Sequence, residues 1–79
     1  MPRKIRELIG DLRRAGFVSR PGKGDHTYWT HPEVPTAQVS LDGKPGADAK
    51  RYQEQQVRQV IAQVERRLAE RREQERQQP

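Results

Sequence analysis

Apolar residues recur along this chain in three rhythms. Ile5, Leu8, Ile9 and Leu12 follow the i, i+3, i+4, i+7 spacing of one helical face, which predicts a short amphipathic helix over PRKIRELIGDLRRAGF. Pro2 suits its first turn, where a missing N–H costs nothing, and Gly16 suits the position just past its last turn. The opposite face carries Arg3, Lys4, Arg6, Arg13 and Arg14. From Phe17 the rhythm changes. Phe17 to Arg20 reads as a short strand, closed by the turn Pro21-Gly22-Lys23-Gly24. Thr27 to Thr30, rich in β-branched and aromatic residues, reads as a second strand. A second turn over Pro32 to Pro35 leads into Thr36 to Leu41, which alternates polar and apolar as a strand with one covered face does.

After a loop from Asp42 to Ala49, helical spacing returns with Val57, Val60, Ile61, Val64 and Leu68. A long second helix is therefore expected to begin near Asp48 or Lys50. Beyond Leu68 the chain offers only Ala69 to a core. A helix carried to the end would be about 40 Å long at about 1.5 Å per residue, and a body of this size is about 30 Å across. Residues 1–69 are thus expected to form the domain, and 70–79 a polar helical overhang or a frayed tail. The order α-β-β-β-α defines an α+β fold. Two helices and a three-stranded antiparallel sheet, each with one apolar face, must share one core, so both helices lie on the same side and the other sheet face stays open.

Strand alternation assigns side chains to those faces. Thr27, Trp29 and His31 share one side of the second strand, and His26, Tyr28 and Thr30 the other. Trp29 is the only tryptophan and the largest apolar group, so it belongs against the helices. His26 and Tyr28 then point to the open side. His31 falls on the Trp29 side, where its expected role is a hydrogen bond to backbone at the strand end. The two histidines do not face each other unless a bulge resets the parity. Asp25 and Glu33 complete no recognisable ligand spacing with them, so no metal or other cofactor is expected.

Composition narrows the class of partner. In 79 residues, 30% are hydrophobic and 34% charged, with no cysteine. Neither a disulfide framework nor a thiolate metal site is available, which suits a reducing cytoplasm. No apolar run is long enough for a membrane span, and no signal-peptide pattern opens the chain. The net charge of +5 is uneven: residues 1–24 hold seven Lys/Arg against two acids, 25–49 one against four, and 50–79 eight against five. Basic ends attract polyanions, and nucleic acid is the commonest of these.

The stretch GKGDHTYWTHP, residues 22–32, holds both histidines and two of the four aromatics. Together with Ala15-Gly16-Phe17 and the basic turn Lys23-Gly24, the run His26, Trp29, His31-Pro32 resembles the HicA family of bacterial toxins over roughly residues 5–68. That resemblance implies a double-stranded-RNA-binding-like fold and a small messenger-RNA interferase. It also implies a HicB-type antitoxin that covers the active histidine, with the toxin monomeric alone and hetero-oligomeric with its antitoxin. The family's catalytic histidine matches His26, and its aromatic core position matches Trp29. Asp25 stands where the family usually has serine. The connection into the second helix is longer and more acidic than is common there.

Cleavage of an RNA phosphodiester by its neighbouring 2′-OH needs a proton carrier near neutral pH, which a histidine supplies. It also needs positive charge or N–H donors at the phosphate. Arg20, Lys23 and the Gly22/Gly24 backbone adjoin His26 and are assigned that role. Tyr28 is assigned to stack on a base or donate a hydrogen bond. If the resemblance extends to the mode of binding, the basic residues of the first helix and Lys50-Arg51 would contact RNA phosphates. One rival reading is a non-catalytic RNA-binding module of the same fold. Another is a pure interaction protein built on the long helix, but beyond Leu68 no heptad exists to support it.

Overall fold

A computed structural model of the chain describes residues 2–77. The elements follow in the order α1 (Ile5–Arg14), β1 (Val18–Pro21), β2 (Thr27–His31), β3 (Val34–Leu41) and α2 (Arg51–Gln77). This is the α+β arrangement with a three-stranded antiparallel sheet, consistent with a double-stranded-RNA-binding-like fold. Boundaries differ from the sequence pattern in particular places. Pro2 precedes α1 rather than opening it, because Arg3 and Lys4 are held extended by the loop after β3. The Ala49 N–H donates to the Arg3 carbonyl at 2.6 Å, and Lys4 forms a β-bridge with Asp48. Lys4 Nζ also pairs with the Asp48 carboxylate at 2.5 Å.

The end of α1 follows from Gly16. With φ at +96°, Gly16 turns the chain out of the helix; its N–H reaches the Arg13 carbonyl at 3.0 Å, and the Phe17 N–H reaches the Leu12 carbonyl at 3.0 Å. These two bonds satisfy carbonyls that a helix end leaves open, and they bring buried Phe17 against the helix it has just left. Phe17 therefore joins the core from the turn, and β1 starts one residue later than its side chain suggested.

The sheet order is β1-β2-β3. Arg20 pairs with Tyr28 and Tyr28 with Ser40; one residue on, Ser19 pairs with Trp29 and Trp29 with Val39. Trp29, Val39 and Leu41 are buried, whereas Tyr28 and Ser40 are exposed. The register slips between Thr30, which faces Gln38, and His31, which faces Val34. The extra residues lie in β3, where exposed Pro35 and Thr36 separate buried Val34 from buried Ala37. Proline at an edge strand and bulge removes no ladder bond that the sheet needs. The bulge leaves β2 in parity, so His31 stays on the Trp29 side.

One core joins the layers: Ile5, Leu8 and Leu12 from α1, Trp29, Ala37, Val39 and Leu41 from the sheet, and Val57, Val60 and Val64 from α2. Ile9, Ile61 and Leu68 pack at its margin. The 27 residues of α2 outrun that core, and the molecule measures 50 × 28 × 17 Å. Past Leu68 the helix is exposed on all sides as far as Arg76, with Arg71 reaching back to the Glu33 carbonyl at 3.1 Å.

Two tests address this frame. A Cβ on Gly16 would stand 2.9 Å from His31 Nε2 and would carry a disfavoured positive φ. Gly16→Ala should therefore cost about 1–3 kcal/mol in denaturant unfolding. The second concerns Asp11, which accepts from Arg3 Nη1 at 2.7 Å and also from Arg14. The Arg3 guanidinium holds its carboxyl below the usual carboxylate range against the opposing effect of burial. A depressed carboxyl adds stability above its unfolded value and loses it as pH falls through the folded one. The advantage of the native protein over Asp11→Asn should accordingly vanish on acidification through and below the carboxylate range.

Candidate nucleic-acid interface

His26 enters the structure through a tight hairpin. Its N–H donates to the Lys23 carbonyl at 3.1 Å, and its own carbonyl accepts from the Gly22 N–H at 2.9 Å. Gly24 supplies the positive φ, +61°, that the turn requires. The backbone of His26 is thus held at both polar groups, while its side chain is exposed immediately before β2. Asp25 lies in the turn itself, exposed. The open face next to His26 carries Tyr28 with its cross-strand partners Arg20 and Ser40. This is an open surface. A cleft of about 250 Å³ lined by Arg3, Asp11, Val57, Arg58 and Ile61 lies between the two helices instead.

The topology gathers the other assigned residues at one end of the sheet. Thr27, where β2 begins, pairs with Leu41, where β3 ends, so the 22–26 turn and the loop after β3 emerge together. Loop residue Ala47 accepts from the Ile5 N–H and Pro45 from the Arg6 N–H, each at 2.9 Å, which brings the start of α1 to the same end. Lys50 and Arg51 follow that loop. The cations divide into two groups. Arg3, Lys4 and Arg14 are tied to Glu7, Asp11 and Asp48, and Arg13 lies over the Trp29 ring at 5.8 Å. Arg20, Lys23, Lys50 and Arg51 are exposed and make no ion pair among the described residues. Three of the five cations read on the first helix are thus paired within the protein, while Arg6 stays exposed without an ion pair among the described residues, as do the four on the hairpin and at the start of α2.

His31 stands apart at the opposite end. It is buried, Nδ1 accepts from the Glu33 N–H at 3.1 Å, and Nε2 lies 3.1 Å from the Ala15 carbonyl. That pair of partners selects the tautomer with the proton on Nε2. Its ring also meets Phe17 edge to face, with centroids 5.2 Å apart. Parity placed the ring on the Trp29 side, and there it fastens the end of α1 to the β2–β3 turn. Among the described residues no group of three His, Asp or Glu side chains is placed to hold a metal ion.

A small two-layer domain with an open sheet face, an exposed histidine at its hairpin and the unpaired Arg20 and Lys23 near it defines a class of compact α+β domains with a double-stranded-RNA-binding-like fold. The family is more specific. Residues 5–65 match the HicA toxin of bacterial toxin–antitoxin systems, and the chain belongs to that family. It is accordingly the toxin component of such a system, whose partner is an antitoxin. No curated protein sequence matches the chain. No helix among the described residues is long and apolar enough to cross a membrane.

One residue that positions this surface was not singled out in the sequence. Gln53 is 2% exposed. Its Oε1 accepts from the Lys50 N–H at 2.8 Å, the returning half of a helix capping box. Its Nε2 donates to the Asp42 carbonyl at 3.1 Å and to Asp42 Oδ1 at 2.7 Å. The start of α2, with Lys50 and Arg51, is thereby fixed to the end of β3. The signal available was a glutamine three residues into a helix beginning at Lys50. Gln53→Ala leaves these groups unpaired near the core and should cost about 1–3 kcal/mol. Native-state hydrogen exchange should then quicken over residues 42–50 more than over β2.

Proposed function

We propose that the protein is an endoribonuclease, a messenger-RNA interferase of the cytoplasm that needs no metal, with His26 as its catalytic residue. The observation that carries this reading is the exposed His26 imidazole on a backbone fixed by two hydrogen bonds, in a chain of the HicA toxin family. In the reaction, the 2′-oxygen attacks the adjacent phosphorus as the bond to the 5′-oxygen breaks. The products are a 2′,3′-cyclic phosphate and a free 5′-hydroxyl. His26 takes the proton from the 2′-OH or returns one to the leaving oxygen. Arg20, Lys23 and the Gly24 N–H bind the phosphate, and their charge favours the dianionic transition state more than the monoanionic substrate. Tyr28, Lys50 and Arg51 extend the contact along the RNA. With one histidine on the face, turnover is slow.

The working domain in this reading is residues 1–69, beyond which α2 continues to Gln77 as a polar overhang. A HicB-type antitoxin neutralises the toxin by covering His26, so the free toxin is a monomer and the inhibited form a hetero-oligomer.

Purified protein and its His26→Ala variant, incubated with messenger RNA in excess EDTA, provide the test. Fragments from the first and none from the second are expected, with a loss of at least about a hundredfold for removing a proton-transfer group. Salt-sensitive RNA binding by both, with cleavage by neither, would replace this reading with that of a non-catalytic RNA-binding module.

A further inference from the structure

Gly22 has no conformational reason to be glycine, since its φ is not among the positive ones of the chain. The position uses the missing side chain instead. A Cβ there would stand 2.6 Å from Tyr28 Cε2 and 3.1 Å from both the Cβ and the carbonyl oxygen of His26. The Tyr28 ring therefore leans diagonally across the hairpin onto the Gly22 backbone, beside His26, instead of standing out from the sheet. It remains 49% exposed. Neither of the cation–ring contacts in the described residues, Arg13 on Trp29 and Lys50 on Tyr52, covers it. Its cross-strand neighbours, Arg20 and Ser40, place no carboxylate beside it. A large apolar ring so exposed contributes little to the core, and an edge resting on backbone holds it in one orientation.

We propose that Tyr28, seated on Gly22, is a stacking platform for an unpaired base next to the scissile phosphate, and that the substrate is single-stranded rather than duplex RNA. This rests on the ribonuclease reading for the word substrate, but the platform itself does not. An aromatic ring accepts a base only if the base can offer it a face, and inside a duplex both faces are covered by stacked neighbours. A single strand can lay one base on Tyr28 while its phosphate meets Arg20 and Lys23 and its 2′-oxygen meets His26. The flexibility that frees the base also lets the 2′-oxygen come into line with the bond to be broken. Gly22 is then a positioning residue, acting through the ring it supports.

Two measurements on the full chain test this. The first is binding of the His26→Ala protein to a short labelled oligoribonucleotide, alone and annealed to its complement. It should prefer the single strand, and adding Tyr28→Ala should weaken that binding by about ten- to a hundredfold. Tyr28→Phe should restore it, because the ring and not the hydroxyl does the stacking. Gly22→Ala should weaken it too, with far-UV circular dichroism unchanged. The second is cleavage of the same two RNAs by the native protein and by Tyr28→Ala, where the loss should appear in KM more than in kcat. Equal binding of duplex and single strand, or binding indifferent to Tyr28→Ala, would overturn the platform. Cleavage of neither RNA with Tyr28-dependent single-strand binding intact would sink the ribonuclease reading and leave the platform standing.

Discussion

Burial of Trp29 is the constraint on which the surface chemistry depends. A chain with 30% hydrophobic residues can cover only one face of a three-stranded sheet, and its largest apolar side chain must go there. Strand geometry does the rest, since neighbours along β2 point to opposite faces. Trp29 inside means Tyr28 outside, with His26 on the same open side at the strand's start. The indole N–H is satisfied by Thr27 Oγ1 at 3.0 Å, so the choice of face leaves no polar atom stranded. Among the described residues no buried side-chain nitrogen or oxygen lacks a partner.

The two ends of the sheet are closed by different means. At one end His31 joins the last turn of α1 to the β2–β3 turn through three neighbours, Ala15, Glu33 and Phe17. Gly16 is needed there twice over, for its φ and for the room it leaves the imidazole. At the other end Gln53 closes the loop after β3 onto α2, while the 22–26 hairpin is closed by its own backbone bonds. Rigid closure lies below the candidate site, and exposed side chains lie on it.

Charge tells a similar story at the level of pairs. By sequence the first helix is the most basic feature of the chain, yet Arg3, Lys4 and Arg14 are occupied by acids from one or two turns away or from the loop. Exposed pairs of this kind add little stability, but they do remove cations from the pool that meets a polyanion. Arg20 and Lys23, exposed and without acidic partners among the described residues, leave positive charge on the hairpin that carries His26.

Local rules made much of this legible. Hydrophobic spacing identified both helices and all three strands, and parity separated exposed His26 from buried His31, because periods of 3.6 and 2 are properties of the backbone itself. The ends of elements were less legible. Whether Pro2 or Ile5 begins α1, and whether Val34 or Thr36 begins β3, depends on a loop 40 residues away and on a bulge. What the sequence by itself determined is the order of elements, the buried face and the histidine left outside it. What only the tertiary structure decided is which arginines are already paired, how Gln53 ties a distant loop to α2, and that Gly22 lies under Tyr28. These are contacts between residues brought together by packing, and no spacing along the chain encodes them.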